Sequence, residues 1–192
     1  MPRALTWENM SPGLLQVVER AKREPEGRFH ARAHLLDGPA LTRAYRRARA
    51  AAAVGVEGVT QEQYGQELEA NVQALHARLK AKQARHQPLR RVHIPKAQGK
   101  TRPLGISAFE DKLVQDAVRE VVEAIDAQDL LECSYGFRPG RSAHDAVRTL
   151  KRLVDRGEVR GSLEADIVSF FDSLDRTEFK KMLEVRGAAG SL

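Results

Sequence analysis

Apolar positions recur at spacings of three and four over several stretches of this chain, and that period predicts helices. Leu14, Leu15 and Val18 mark a short helix over 12–23. Residues 24–38 are punctuated by Gly and Pro and read as loop, and the Ala- and Arg-rich stretch 41–53 is helical by propensity. Gly55 and Gly58 end any helix there. Thr60 with Gln63 then forms a capping-box pattern that opens a helix carrying Tyr64, Leu68, Val72, Leu75 and Leu79. Beyond Pro88, the stretches 89–94 and 102–106 read as two strands around a turn, a β-hairpin with a basic tip. Leu113, Val114, Ala117, Val118, Val121, Val122 and Ile125 form one stripe of a helix over 109–131. A Gly/Pro loop covers 134–141, and Ser142 with Asp145 starts a helix to about residue 155. Leu163, Ala165 and Ile167 alternate with Glu164, Asp166 and Val168, which predicts a half-buried strand with Asp166 off its buried face. A last helix follows Asp175. There is no internal repeat. The fold class expected is α+β.

The 192 residues suffice for a real core, and 42% hydrophobic with 30% charged residues is a globular balance that argues against disorder. No apolar run approaches the ~18 residues of a membrane span, and no export signal pattern opens the chain. A single cysteine, Cys133, excludes an internal disulfide framework and a zinc ribbon. It is expected to be a small buried residue in a reduced, cytoplasmic protein.

Charge sharpens this. The net charge is +6, yet 78–102 holds nine Lys and Arg and no Asp or Glu, so the rest of the chain is net acidic by three (6 − 9). Long basic side chains around a turn can converge on one polyanion, with nucleic acid the commonest. Arg43, Arg46, Arg47 and Arg49 form a second cluster, which fits either a polyanion site or a solvated helix face.

Three segments carry the candidate chemistry. They are Ile94-Pro95-Lys96 with 100–106, the run Ser134-Tyr135-Gly136-Phe137-Arg138-Pro139-Gly140-Arg141-Ser142, and the stretch Ala165-Asp166-Ile167-Val168-Ser169-Phe170-Phe171-Asp172. In this order and spacing they resemble the group II intron reverse transcriptases, the intron-encoded RNA-directed DNA polymerases and maturases. The block Gly55-Val56-Glu57-Gly58-Val59-Thr60 resembles that family's N-terminal block, with Glu57 where Asp is usual. The resemblance spans about residues 42–186.

The resemblance implies a nucleotidyltransferase with RNA template, DNA primer, dNTP and Mg2+. Such an enzyme holds two divalent cations on carboxylates, and magnesium takes oxygen ligands with few protein carboxylates. Asp166 would be the first catalytic aspartate and metal ligand, with the Ile167 carbonyl a further ligand. Phe171 would lie under the incoming sugar and reject a 2′-hydroxyl; of Phe170 and Phe171, one is also expected in the core. Lys96 and Arg102 would contact the triphosphate as point charge and bidentate fork. Arg90, Arg91 and Lys100 would meet nucleic acid. Tyr135, Arg138 and Arg141, with Phe137, would grip single-stranded template by stacking and phosphate contact; a loop packed by its aromatics, with Arg138 on a carboxylate, is the alternative.

On this reading, 1–86 is a helical N-terminal extension with RNA-binding character, and 87–192 is the fingers and a partial, truncated palm. The family's second carboxylate pair, in a Tyr-x-Asp-Asp turn, has no counterpart: the 192 residues contain no Asp-Asp, and 26 residues follow Asp166. The chain alone is therefore expected to be inactive, with a missing C-terminal half possible on another chain. The long helix 109–131 is expected to expose apolar surface that palm strands would otherwise cover. A non-catalytic RNA-binding module and a non-functional mobile-element remnant stand as alternatives. A CRISPR-associated or retron-type member is a further branch, but the Ser134–Gly140 run favours the intron type.

Overall fold

The computed structural model describes residues 10–29, 32–95, 99 and 101–187, with nothing of the Arg32 side chain. These fall into two compact units. One comprises 33–122; the other comprises 10–32 with 123–187.

A 3-10 turn at Arg32–Leu35 leads into the first unit and its helix α1, Gly38–Arg47. Asp37 caps it by accepting from the Ala40 amide at 2.8 Å, and a proline in its first turn lacks only an N–H that would have no helical partner. The helix starts and stops earlier than propensity predicts. Beyond it, the Ala53 and Val54 carbonyls accept from Lys112 Nζ (2.6 Å) and Arg90 Nε (2.9 Å), so tertiary bonds override the Ala-rich preference. The capping box forms as expected: Thr60 Oγ1 accepts from the Gln63 amide at 3.2 Å, and Gln63 Oε1 accepts from the Thr60 amide at 2.9 Å. The single helix expected from there is two, α2 (Gln61–Gly65) and α3 (Leu68–Lys80). Asn71 Nδ2 takes up the Tyr64 carbonyl at the break, at 3.0 Å. A Cβ on Gly65 would run into the Tyr45 hydroxyl and push that side chain aside.

The hairpin pairs β1 (Arg90–Pro95) with β2 (Thr101–Ile106), antiparallel, in the register Arg90↔Ile106, Val92↔Leu104 and Ile94↔Arg102. It is the only sheet among the described residues. Next comes α4, Phe109–Asp126, shorter than expected at its C-terminal end. Glu57 caps it, accepting from the Phe109 amide at 2.6 Å. This explains the glycines of that block. Gly58 has φ +72°, and a Cβ on Gly55 would lie 2.6 Å from the Ala108 Cα.

Leu113, Ala117 and Val121 of α4 are buried, contrary to the expectation that this stripe stays exposed. Tyr45, Tyr64 and Phe109 cluster at its start, with ring centroids 5.0–6.3 Å apart. Glu120, also on α4, is fully buried (0% exposed). Arg43 grips it with Nε at 3.2 Å and an Nη at 2.9 Å, and Arg47 reaches it at 3.0 Å while also pairing with Asp116. Two members of the Arg43–Arg49 cluster are thus neither a nucleic-acid patch nor a solvated face. They are internal ion pairs.

The second unit is built on α5, the N-terminal helix Pro12–Arg23, over the span expected. Leu14, Val18, Ala21, Phe29, Ala124 and Ile125 are buried in this unit. The Phe29 amide donates to the Arg186 carbonyl at 2.8 Å. Arg186 in turn donates to the carbonyls of Glu24 (3.0 Å) and Gly27 (2.9 Å) and pairs with Asp129 at 2.7 Å. Three further helices follow: α6 (Ala143–Asp155, capped by Ser142), the single turn α7 (Phe170–Ser173) and α8 (Arg176–Arg186, capped by Asp175).

The expected strand and the expected burial of Cys133 fail in this unit. Residues 161–167 form no strand, and Leu163, Ile167 and Val168 are exposed. A strand needs a neighbour's backbone to pair with, and none of the described segments of this unit offers one. Cys133, expected to be buried, is exposed in the turn before the Gly/Pro loop.

Candidate nucleic-acid interface

The first group of candidate residues is on the hairpin. Side chains alternate across a strand, so the register puts Arg90, Val92 and Ile94 on one face with Ile106, Leu104 and Arg102. Arg90 and Arg102 thereby stand at opposite ends of an apolar strip in which Ile94 and Leu104 are exposed. Arg91 is exposed on the other face. Arg90 spends its Nε on the Val54 carbonyl, which leaves its terminal nitrogens for another acceptor. Lys96 and Lys100 lie outside the described residues.

The second group is in the other unit, on the turns ahead of α6. Tyr135 donates its hydroxyl to Thr149 Oγ1 at 2.9 Å, which ties the loop to the helix. The Arg141 guanidinium lies 5.5 Å from the Tyr135 ring centroid. Arg141 pairs with the Glu132 carboxylate, and an Nη of Arg138 approaches the same carboxylate at 3.9 Å. The Arg141 guanidinium, first by hydrogen bond and then by charge, holds the Glu132 carboxyl below the usual carboxylate range. Phe137, at φ +53°, projects fully into solvent. So the loop is not packed by both its aromatics: Tyr135 docks and Phe137 does not.

Asp166 and Ile167 are exposed in the irregular stretch ahead of α7, and Asp166 has no hydrogen-bond or ion-pair partner among the described residues. Phe170 and Phe171 pack on each other, centroids 5.2 Å apart, and both are exposed, so neither is core. Tyr135, Arg138 and Arg141 are brought together; Asp166 and Phe171 are near one another in sequence without joining that cluster through any hydrogen bond or ion pair.

Sequence reasoning passed over Glu132 and the capping role of Glu57. For the first the sequence carries no distinct signal, since a single glutamate ahead of a Gly/Pro loop is commonplace. The departure from Asp in the glycine block was the signal for the second.

These residues supply part of a ligand set for a magnesium ion. Among the described residues no three His, Cys, Asp or Glu come together as a metal site. Asp166 offers one exposed carboxylate next to the Ile167 carbonyl, and magnesium in phosphoryl chemistry takes one or two carboxylates together with substrate phosphates.

Comparison with known proteins gives this arrangement its context. Residues 94–187 match the reverse transcriptase (RNA-dependent DNA polymerase) family. The match opens on β1 of the hairpin, takes in the Tyr135–Arg141 loop and Asp166, and closes after α8. Residues 94–187 belong to the reverse transcriptases, a family that works with divalent metal ions on nucleic acid.

The branch follows from the relatives. The chain is 42% identical over 101 residues to the group II intron-encoded protein LtrA of Lactococcus lactis subsp. cremoris, covering 52% of this chain and 16% of LtrA. It is 42% identical over 135 residues to protein YkfC of Escherichia coli K12, covering 69% of this chain and 35% of YkfC. An uncharacterized 91 kDa protein in a cob intron of Schizosaccharomyces pombe is 39% identical over 105 residues, 55% of this chain and 13% of that protein. The matched residues are those of a group II intron-type reverse transcriptase, and the chain spans only the stated fractions of these relatives. No described helix is long and apolar enough to cross a membrane.

Proposed function

We propose that this chain supplies the fingers and the opening of the palm to RNA-templated DNA synthesis, and that the reaction needs a further segment bearing the second carboxylate pair. The observation that carries this reading is the span of the family match, which takes in all three candidate segments from Ile94 to Gly187. In the complete enzyme Arg102, with Lys96, meets the triphosphate of the incoming dNTP. Arg90, Arg91 and Lys100 face nucleic acid, and Tyr135, Arg138 and Arg141 hold the template strand. Asp166 and the Ile167 carbonyl are the ligands this chain gives to Mg2+, and Phe171 excludes the 2′-hydroxyl. The helical region 1–86 is an extension with RNA-binding character and 87–192 the polymerase part, acting in the cytoplasm on intron RNA or another template with a DNA primer.

Primer extension tests this. With an RNA template, a DNA primer, dNTPs and Mg2+, the 192-residue chain is expected to give no product. Adding a polypeptide with the downstream Tyr-x-Asp-Asp segment of an intron reverse transcriptase is expected to restore it, and Asp166→Ala to abolish it. Extension by the chain alone that disappears with Asp166→Ala would overturn the need for a second carboxylate pair.

A second reading is RNA binding without catalysis. It is favoured by the position of Arg90, Arg91 and Arg102 in a unit that holds its own core apart from Asp166. Its mark is an RNA affinity whose logarithm falls with the logarithm of salt. Binding unaltered by neutralising Arg90, Arg91, Lys96 and Lys100 would rule it out.

A further inference from the structure

Arg138 and Arg141 are partly buried cations that converge on one exposed segment of their own chain. Their side chains are 14% and 29% exposed, while that of Glu132 is 85% exposed. Arg138 donates to the Leu131 carbonyl at 2.8 Å, and Arg141 donates to the Glu132 carbonyl at 3.4 Å as well as to its carboxylate. The two forks therefore hold a run of oxygen acceptors ending in a negative charge, at the surface, beside the Tyr135 ring. A phosphodiester strand presents the same things: acceptor oxygens, negative charge and a base to stack. Asp145, the other carboxylate near Arg141, is already taken by the Ser142 hydroxyl (2.6 Å) and Arg148 (3.2 Å), so it does not compete for this position.

We propose that Glu132 is a built-in stand-in for a nucleic-acid phosphate: it holds Arg138 and Arg141 in place in the free protein and is displaced when a single strand binds. The inference rests on the reading of this loop as a strand-gripping site. The exchange is feasible because the Glu132 carboxylate is already largely in water, and exposed ion pairs are weak. It sets a threshold. A strand binds here only by outcompeting the internal carboxylate, which discriminates against ligands that bring a single weak anion. Holding the forks in place also lowers the ordering cost when a strand arrives.

The test uses the full 192-residue chain and a labelled single-stranded RNA of mixed sequence, with affinity followed by anisotropy at low salt. Glu132→Gln is expected to tighten binding about two- to fivefold, the size of an exposed ion pair expressed as a ratio. Arg138→Ala with Arg141→Ala is expected to weaken it, and in that background Glu132→Gln is expected to change nothing. Glu178→Gln, an exposed carboxylate paired with Lys181 elsewhere in the same unit, controls for loss of negative charge alone. Tightening by Glu132→Gln that persists without the two arginines, or that Glu178→Gln reproduces, overturns the stand-in role. So does a Glu132→Gln variant that binds no more tightly while the arginine variant binds less; that outcome leaves the loop as a strand site. If the arginine variant binds as the parent does, the strand-gripping reading falls and the stand-in role falls with it. Glu132→Ala repeats each arm with a second side chain.

Discussion

Helices α4 and α6 are both amphipathic, and they meet different fates. On α4, Leu113, Ala117 and Val121 are buried, and even the charge of Glu120 is enclosed. On α6, Val147, Leu150 and Val154 stand at helical spacings of three and four and are exposed. The difference lies in what the first unit brings to α4. The helix Gly38–Arg47 reaches it through the ion pairs of Arg43 and Arg47, and the short helix at Tyr64 reaches it through the ring of Phe109. No described element covers the α6 stripe. An apolar stripe thus states that a helix has a face to bury, and says nothing of whether its cover lies in the same 192 residues.

Two substitutions press on that contrast hardest. Glu120→Ala leaves Arg43 and Arg47 mostly enclosed without their shared carboxylate. Breaking a buried pair in this way is expected to cost about 3–5 kcal/mol, read as a lower urea midpoint by far-ultraviolet circular dichroism. Leu113→Ala is expected to cost about 2–5 kcal/mol by the same measurement, from lost burial and the cavity left behind. Leu150→Ala on α6 is expected to stay within about 0.5 kcal/mol. If it costs as much as Leu113→Ala, the α6 face is covered in solution and the contrast between the helices breaks.

What could be read from the residues alone follows the range of the interactions. Thr60 with Gln63, Ser142 and Asp175 signal helix starts through neighbours three residues away or fewer, and each caps as its position suggests. The hairpin is likewise local, and its strands lie within a residue of the stretches 89–94 and 102–106 read from the sequence. The Arg43–Glu120 pair joins residues 77 apart, and no local pattern distinguishes such an arginine from one kept for nucleic acid. The stretch 163–168 shows the opposite error. Its alternation satisfies the strand pattern, but a strand exists only beside another strand. Of the candidate site, the arginines of the hairpin and loop stand out in the sequence through their density. Glu132 does not, because one glutamate beside two arginines gains meaning only when the turn folds them together.

The smallest expected effect concerns pH at the start of α8. The Asp175 carboxylate accepts from the amides of Thr177 at 2.7 Å and Glu178 at 3.2 Å, and these bonds, the Glu178 amide's foremost, hold its carboxyl below the usual aspartate range. A depressed folded value means that the unfolded segment takes up its proton first as acid is added. The cap's contribution is therefore fully present above the ordinary aspartate value and is lost as the pH falls through the depressed one. Site-resolved hydrogen exchange on α8 between neutral pH and about pH 2 reads this directly, apart from Asp145, which acts on α6. Asparagine caps as well as aspartate does and does not titrate, so Asp175→Asn is expected to hold the protection of α8 level across that range. If the variant loses protection over the same interval as the parent, the Asp175 cap is not the source of the acid sensitivity of α8.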